Sequence, residues 1–255
     1  MNRDEFRKRL DRLHEVLFRG LAYYTVWKRL LLHDPGRVSW SLQEQNEVLG
    51  RYHGFITPVA FALRDMALME FTKMFDADRR TASLVNLRNA ARQDPNLVPR
   101  AGTGDLDGVS ARLQQSQPIL ARLRRRRNQQ IAHVYPQPTP VSPVRNTDLD
   151  KLVDAVKSAF NLLSTAHDGR FVSWEYPLKT ADEHTIATLH VLRKEIERKQ
   201  KQHQEEMVRI GLEAIQSQQA VIGRRLSTEE LRSTGQSFGL TGQEMQRVEE
   251  QYSSN

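Results

Sequence analysis

The 255-residue sequence contains no cysteine. Disulfide bonds, thiol catalysis and cysteine-based zinc sites are therefore excluded, and a reducing compartment is the natural setting. Long apolar runs are also missing, since a stretch such as Gly20 to Trp27 is far too short to cross a bilayer. The first ten residues, MNRDEFRKRL, are charged and lack the apolar centre of a secretion signal. These absences predict a cytoplasmic protein that does not enter a membrane.

Several familiar catalytic motifs are missing as well. The sequence has no G-x-x-x-x-G-K-[ST], no G-x-G-x-x-G, no H-E-x-x-H and no G-x-S-x-G. His184 and His190 are six residues apart, which is not the i,i+4 spacing of a helical zinc site. We therefore predict neither a metal site nor a cofactor.

Positive charge is in excess, with a net charge of +7 and a pI of about 9.8. Such a balance favours an anionic partner. The densest cluster consists of Arg122, Arg124, Arg125, Arg126 and Arg127. A basic run on a helix is often only a solvated face, so charge alone leaves nucleic-acid binding and simple solvation open.

Apolar residues recur at helical spacing, and nothing indicates a β-strand. The first segment, Arg3 to His33, has an apolar face of Phe6, Leu10, Leu13, Leu17, Leu21, Tyr24 and Leu31. We predict further helices over residues 41–75 with a break or kink at Pro58, 83–91 with Ser83 as the cap, 109–134 with an interruption near Pro118, and 148–166. Residues 55–75 are the most apolar and are expected in the core.

The predicted fold is thus all-α, with three parts. A helical bundle occupies residues 1–180, a long polar helix or arm residues 181–222, and a small helical hairpin or flexible tail residues 223–255. Two capping boxes, Ser227-x-x-Glu230 and Thr241-x-x-Glu244, support the hairpin. Within the bundle, four prolines end the arginine-rich helix and impose an extended connector: Pro136, Pro138, Pro140 and Pro143.

The stretch from Arg127 to His133, RNQQIAH, holds the residue types that RNA cleavage needs. Without a metal, the reaction requires the 2'-hydroxyl to lose its proton, the phosphate charge to be stabilised and the leaving oxygen to be protonated. A histidine can act as acid or base at neutral pH, and an arginine matches phosphate geometry. Asn128 can orient either group or contact the ribose. The residue types of Arg127, Asn128 and His133 therefore suit phosphodiester transesterification.

The spacing of this pair has a geometric consequence. Six positions on an ideal helix turn the chain by about 600°, so Arg127 and His133 point roughly 120° apart. Two chains related by a two-fold axis can bring an Arg–His pair from each side into one cleft. The alternative is a basic helix that contains a histidine by chance.

The motif resembles the R-N-x(3–4)-[small]-H motif of the HEPN superfamily, and its Ile131-Ala132 pair is similar to the AbiU-type abortive-infection branch. Upstream, Phe75-Asp76 at a helix end and Ser83-Leu84 in the following turn look like the same branch. The resemblance covers roughly residues 1–200. It implies a helical bundle that dimerises around the motif and a metal-independent endoribonuclease that uses Arg127, Asn128 and His133.

The resemblance also implies partners. RNA is the expected substrate, with Arg122, Arg124, Arg125 and Arg126 as RNA-binding residues. An antitoxin or another defence-system protein is a further expected partner. In HEPN toxins paired with a nucleotidyltransferase, the motif continues as H-x-Y and the tyrosine is adenylylated. Here Tyr135 matches that position, although a tyrosine packed at a helix end is the simpler interpretation.

Two other functions stay open. A HEPN-like module without catalysis would bind RNA or a protein partner, and its RNA binding would weaken with salt. A scaffold would instead place its function in residues 181–255.

Overall fold

A computed structural model describes residues 1–32, 41–126 and 144–254, with only the backbone described for Arg126, Tyr176, Pro177 and Ser254. Over these residues the fold is all-α, as predicted, and contains no strand. Its helices are α1 (Arg3–Leu31), α2 (Leu42–Arg51), α3 (His53–Lys73), α4 (Leu84–Gln93), α5 (Asp105–Arg126), α6 (Asn146–Asp168), α7 (Glu175–Ile222), α8 (Thr228–Ser237) and α9 (Gly242–Ser254), with a 3-10 turn at Pro95–Leu97. None of the described helices combines the length and the apolar character that crossing a bilayer requires.

The chain forms two compact units, which we call the N-terminal unit (Met1–Ala187) and the C-terminal unit (Thr188–Asn255). The boundary between them falls inside α7. The sequence prediction placed boundaries at residues 180 and 222. In the structure, most of the predicted arm and the hairpin belong to a single unit.

The core of the N-terminal unit is built on α1, whose predicted apolar face is buried except for the half-buried Leu31. Helix α3 runs antiparallel to α1. Gly20, in the second half of α1, faces Phe71 near the end of α3, whereas Arg9, nearer the start of α1, donates a hydrogen bond to the carbonyl of Arg79, which follows α3 in the chain. A Cβ at Gly20 would lie 3.0 Å from the Phe71 ring. The glycine therefore lets the two helices approach closely.

Helix α6 packs against both α1 and α5. It is antiparallel to α1, since its C-terminal His167 ring lies 5.0 Å from the Phe6 ring and its first-turn region reaches Tyr24. Its apolar face is buried as predicted: Leu149, Leu152, Val153, Val156, Phe160 and Leu163. The end of α5 and the start of α6 lie together, because Arg122 near the end of α5 contacts Asp148 in the first turn of α6.

Neither Pro58 nor Pro118 interrupts its helix, so the interruptions predicted at these prolines were wrong. The break between α2 and α3 lies at Tyr52, which stands between Gly50 and Gly54, two residues of low helix propensity. Helix α3 continues through Pro58, its sixth residue, where the missing N–H group leaves the helix one backbone donor short. Helix α5 likewise continues through Pro118, because both of its flanks contribute apolar residues to the core: Val109, Leu113, Leu120 and Leu123.

Helix α3 is only partly in the core, contrary to the prediction. Ile56, Ala60, Ala67, Leu68 and Phe71 are buried. The opposite side has an exposed apolar strip, within about 80° of arc on an ideal helix, made of Phe55, Pro58, Ala62, Met66 and Met69. Phe55 is 70% exposed. We call these five residues the α3 strip.

A buried ion pair fixes the start of α7 to α1. Arg29 donates from Nε and from Nη2 to the two carboxylate oxygens of Asp182, the second bond measuring 2.9 Å. Both side chains are less than 10% exposed. Two parallel bonds of this kind fix orientation as well as distance.

The C-terminal unit has a small core of its own, formed by Val208, Ile215, Leu226, Leu231, Leu240, Met245 and Val248. Both predicted capping boxes are present at the starts of α8 and α9. Between the two helices, Gly239 has a φ of 74°, a conformation that favours glycine. Residues 197–203 of α7 are all exposed. Ion pairs between residues four apart, Arg193–Glu197 and Lys201–Glu205, lie at the two ends of this stretch.

Candidate functional site

The predicted catalytic residues Arg127, Asn128 and His133 lie outside the described residues, as does Tyr135. Arg126 ends α5, and its side chain is also outside the described part. The structure therefore describes the part of α5 that directly precedes the motif, which contains Arg122, Arg124 and Arg125, and the elements that these side chains contact.

Arg122 contacts the start of α6. Its Nη2 donates to Asp148 Oδ2 over 3.1 Å, and its Nε lies 3.4 Å from the Pro118 carbonyl one turn back on α5. Asp148 lies in the first turn of α6, where a carboxylate is favoured by the helix dipole. The ion pair thus ties the last turn of α5 to the first turn of α6.

Arg124 contacts the end of α3. Its Nη2 donates to the main-chain carbonyl of Phe75 over 2.7 Å. The Phe75 side chain is buried in the core of the N-terminal unit, so the acceptor carbonyl belongs to a fixed part of the chain. This contact ties α5 to a second element, on another side from Asp148.

The loop between α3 and α4 contains the Phe75-Asp76 and Ser83-Leu84 pairs of the sequence motif. Ser83 accepts a hydrogen bond from the Asn86 N–H as the cap of α4 and donates one to the Asp76 carbonyl over 2.6 Å. The Leu84 N–H donates to the Met74 carbonyl. Ser83 and Leu84 are fully buried. The two pairs therefore hold the loop closed by hydrogen bonds, and the Phe75 carbonyl of this loop is the acceptor of Arg124.

Arg125 differs from its neighbours. Its side chain is exposed, and it makes no hydrogen bond or ion pair with any other residue in the described part of the chain. Among the predicted RNA-binding arginines whose side chains are described, Arg125 is exposed, whereas Arg122 and Arg124 are half-buried. The RNA-binding role of all four arginines stays a prediction.

A polar cluster next to the start of α6 was not predicted from the sequence. The Tyr24 hydroxyl donates to Asp150 Oδ1 over 2.7 Å, and Lys28 Nζ contacts the same oxygen at 2.7 Å. Burial, followed by this hydrogen bond, raises the pKa of Tyr24, so the phenol stays protonated. More than 120 residues separate the partners, and no local pattern relates them.

The net charge is confined to one unit. The C-terminal unit contains ten Lys or Arg and ten Asp or Glu residues, so the whole +7 belongs to residues 1–187. Several C-terminal arginines are also paired within their unit, for example Arg224 with Glu230 and Arg232 with Glu249. The hydrogen bond from Arg224 is the main cause that lowers the pKa of Glu230 to about 2. An anionic ligand is therefore expected on the N-terminal unit.

Comparison with known families gives one result. The family model HEPN_AbiU2, described as AbiU2, matches residues 3–190. The matched range contains the whole RNQQIAH stretch and the Phe-Asp and Ser-Leu pairs, and it confirms the resemblance inferred from them. Comparison with curated proteins found no match, and neither did comparison with solved structures.

Proposed function

Because the chain belongs to the AbiU2 family of HEPN proteins, we propose that it is a metal-independent endoribonuclease of a defence or toxin–antitoxin system. The observation that carries the proposal is that the family match over residues 3–190 includes Arg127 and His133, which follow the arginine-rich end of α5 in the sequence. The excess positive charge of the same unit supports RNA as the substrate.

The proposed reaction is an attack of the ribose 2'-hydroxyl on the adjacent phosphorus. His133 takes the hydroxyl proton, a new P–O2' bond forms, and the P–O5' bond breaks. The leaving 5' oxygen receives a proton from a second acid, which is the histidine of the partner chain in a shared cleft. Arg127 stabilises the phosphorane charge. The products are a 2',3'-cyclic phosphate and a 5'-hydroxyl end.

The test is cleavage of a labelled single-stranded RNA by the full chain in the presence of EDTA. We expect His133→Ala and Arg127→Ala to lose at least about 100-fold in cleavage rate. His203→Ala, which removes an exposed histidine of α7, is the matched control and retains full activity. Undiminished cleavage by His133→Ala would refute the assignment. RNA binding by the wild type without any cleavage would support the non-catalytic module instead.

We further propose that the active form is a homodimer, and that the second copy covers the α3 strip. Exposed apolar patches of this kind often mark protein–protein interfaces. Met69 precedes Phe75 by six residues, or about 9 Å along a helix, and Phe75 accepts the hydrogen bond of Arg124. One end of the strip therefore lies beside the helix that leads to the motif, as a shared cleft requires.

The dimer proposal is tested by light scattering coupled to gel filtration. We expect Met66→Glu to shift the protein to a monomer and to abolish cleavage, because a charge is inserted at the centre of the apolar strip. Lys73→Glu, which changes a charge just past the strip, is the control and keeps the dimer. A wild-type protein that is monomeric at every concentration would contradict the shared site.

A further inference from the structure

We propose that Arg122 and Arg124 act as positioning residues that hold the end of α5, while Arg125 contacts the RNA phosphates. The inference rests on the proposed function. It assigns a structural role to Arg122 and Arg124 and an RNA-binding role to Arg125. The division rests on the partners that Arg122 and Arg124 already have, and on the exposure of Arg125, which has no partner among the described residues.

The two positioning residues leave α5 in nearly opposite directions. Two positions along a helix turn the chain by about 200°, so Arg122 and Arg124 reach different neighbours. Arg122 pairs with Asp148 on α6, and Arg124 donates to the Phe75 carbonyl at the end of α3. The last described turn of α5 is thus fixed from both sides.

The two acceptors are themselves held in place. Asp148 also receives the backbone N–H of Arg145 over 3.4 Å. Phe75 is 2% exposed, and its own N–H donates to the Thr72 carbonyl. The N–H groups that bind these two acceptors are not available to a phosphate, and the Phe75 carbonyl would lose a charge-assisted bond if Arg124 turned away from it.

Positioning matters at this point in the chain because α5 ends one residue before Arg127. A catalytic group must stay within a fraction of an ångström of its productive place, and a displacement of about 1 Å can cost about 100-fold in rate. Arg122 and Arg124 precede Arg127 by five and three residues. Their two contacts fix the last described turn of α5, which directly precedes Arg127 in the sequence.

Arg125 is suited to the other task. Its guanidinium is exposed and has no partner among the described residues, so it can bind a phosphate without breaking an internal contact. A single arginine–phosphate contact releases about one counterion, which lowers the slope of log affinity against log salt by about 1 when the arginine is removed.

The first experiment measures kcat and KM for RNA cleavage, together with the salt dependence of RNA affinity in a His133→Ala background. The probe is a fluorescein-labelled single-stranded RNA of about 20 nucleotides. For Arg124→Ala and Arg122→Ala we expect kcat to fall about 10- to 100-fold, with KM and the salt slope unchanged. For Arg125→Ala we expect Kd and KM to rise about tenfold and the salt slope to fall by about 1. Arg247→Ala, an exposed arginine on α9, is the control and changes none of these.

The second experiment removes the partner and keeps the cation. Asp148→Asn frees Arg122 without removing its charge. If Arg122 positions α5, this variant lowers kcat about as much as Arg122→Ala and leaves RNA affinity unchanged. If Arg122 binds RNA, the freed arginine instead tightens RNA binding, and the proposal is overturned for this residue. Asp107→Asn is the matched control, because it removes the carboxylate partner of Arg92 in an ion pair that does not involve α6.

Arg124→Lys provides the corresponding test at the other contact. A lysine keeps the charge but has a compact ammonium in place of the forked guanidinium. If Arg124 has a positioning role, Arg124→Lys should lose part of kcat while the salt dependence of RNA affinity stays unchanged. The proposal would be overturned if Arg124→Ala kept its kcat but showed a smaller salt slope. Should the wild type bind RNA without cleaving it, the proposed catalysis fails. The salt slopes and the Asp148→Asn affinity still decide the division of roles.

Discussion

The two units of this chain contain similar proportions of arginine and lysine but use them differently. In the N-terminal unit, cations exceed anions by seven, and the described polar contacts reach across the fold, as between Arg29 and Asp182 or Arg124 and Phe75. In the C-terminal unit, charges balance and most pairs on α7 join residues three or four apart. The two units therefore differ in uncompensated positive charge rather than in the proportion of basic residues.

The largest expected difference concerns the buried pair. Asp182→Ala leaves Arg29 buried without its carboxylate, which should lower the free energy of unfolding by about 3–5 kcal/mol. Glu249→Gln in the C-terminal unit removes the partner of an exposed arginine, and we expect no measurable change. Chemical denaturation measures both. The double variant Arg29→Met with Asp182→Leu should recover most of the loss, and a double variant as unstable as Asp182→Ala would contradict the explanation by an unpaired charge.

The second prediction concerns the two cores. Ile215 is fully buried in the small C-terminal core, and Ile215→Ala should cost about 2–5 kcal/mol. A core in a unit of this size rarely supplies more than about 3–5 kcal/mol, so α8 and α9 should lose their hydrogen-exchange protection while α1 and α6 keep theirs. RNA affinity should not change. Leu163→Ala, in the larger core, is the control that leaves both units folded. Loss of protection in α1 on Ile215→Ala would show that the units do not unfold independently.

The third prediction compares two helical glycines. A Cβ at Gly235 would overlap with the Met245 sulfur and lie 3.2 Å from Leu240, so Gly235→Ala should destabilise the C-terminal unit by about 1–3 kcal/mol. Gly50, in α2, has open space around its Cα. Gly50→Ala should therefore stabilise the N-terminal unit by up to about 1 kcal/mol. Thermal unfolding followed by circular dichroism tests the opposite signs, and equal effects would contradict the close approach at Gly235.

The smallest expected effect depends on pH. Burial is the main cause that lowers the pKa of His14, with Arg170 acting in the same direction and Asp11 and Glu15 opposing it. Because the unfolded chain then binds a proton more readily than the folded one, the free energy of unfolding should decrease as pH falls from above 6.5 toward the lowered pKa. His14→Phe should remove this part of the pH dependence. An unchanged profile in the variant would contradict it, and His203→Phe is the control.

Sequence patterns predicted the local features and missed the distant ones. The caps at Ser83, Ser227 and Thr241 were correct because a cap and its helix lie within four residues of each other. The break at Tyr52 was not predicted, because the interruption was assigned to Pro58, whereas Gly50 and Gly54 beside Tyr52 have low helix propensity. The family resemblance inferred from RNQQIAH and from the Phe-Asp and Ser-Leu pairs is confirmed by the family match over residues 3–190.

The site was predictable only in part for the same reason. A run of arginines is visible in the sequence, but the partner of each arginine is not. Asp148 lies 26 residues after Arg122, and the acceptor of Arg124 is a main-chain carbonyl 49 residues earlier. A backbone acceptor has no residue type that a pattern can recognise. The separation of positioning from RNA-contacting arginines therefore required the fold.

The bond from Arg124 to the Phe75 carbonyl has an evolutionary consequence. A main-chain oxygen is present whatever residue occupies position 75, so a change at that position does not require a compensating change at position 124. The ion pair between Arg122 and Asp148 joins two side chains, and the loss of either removes it. Among homologous sequences we therefore expect positions 122 and 148 to covary, while position 124 is conserved independently of position 75.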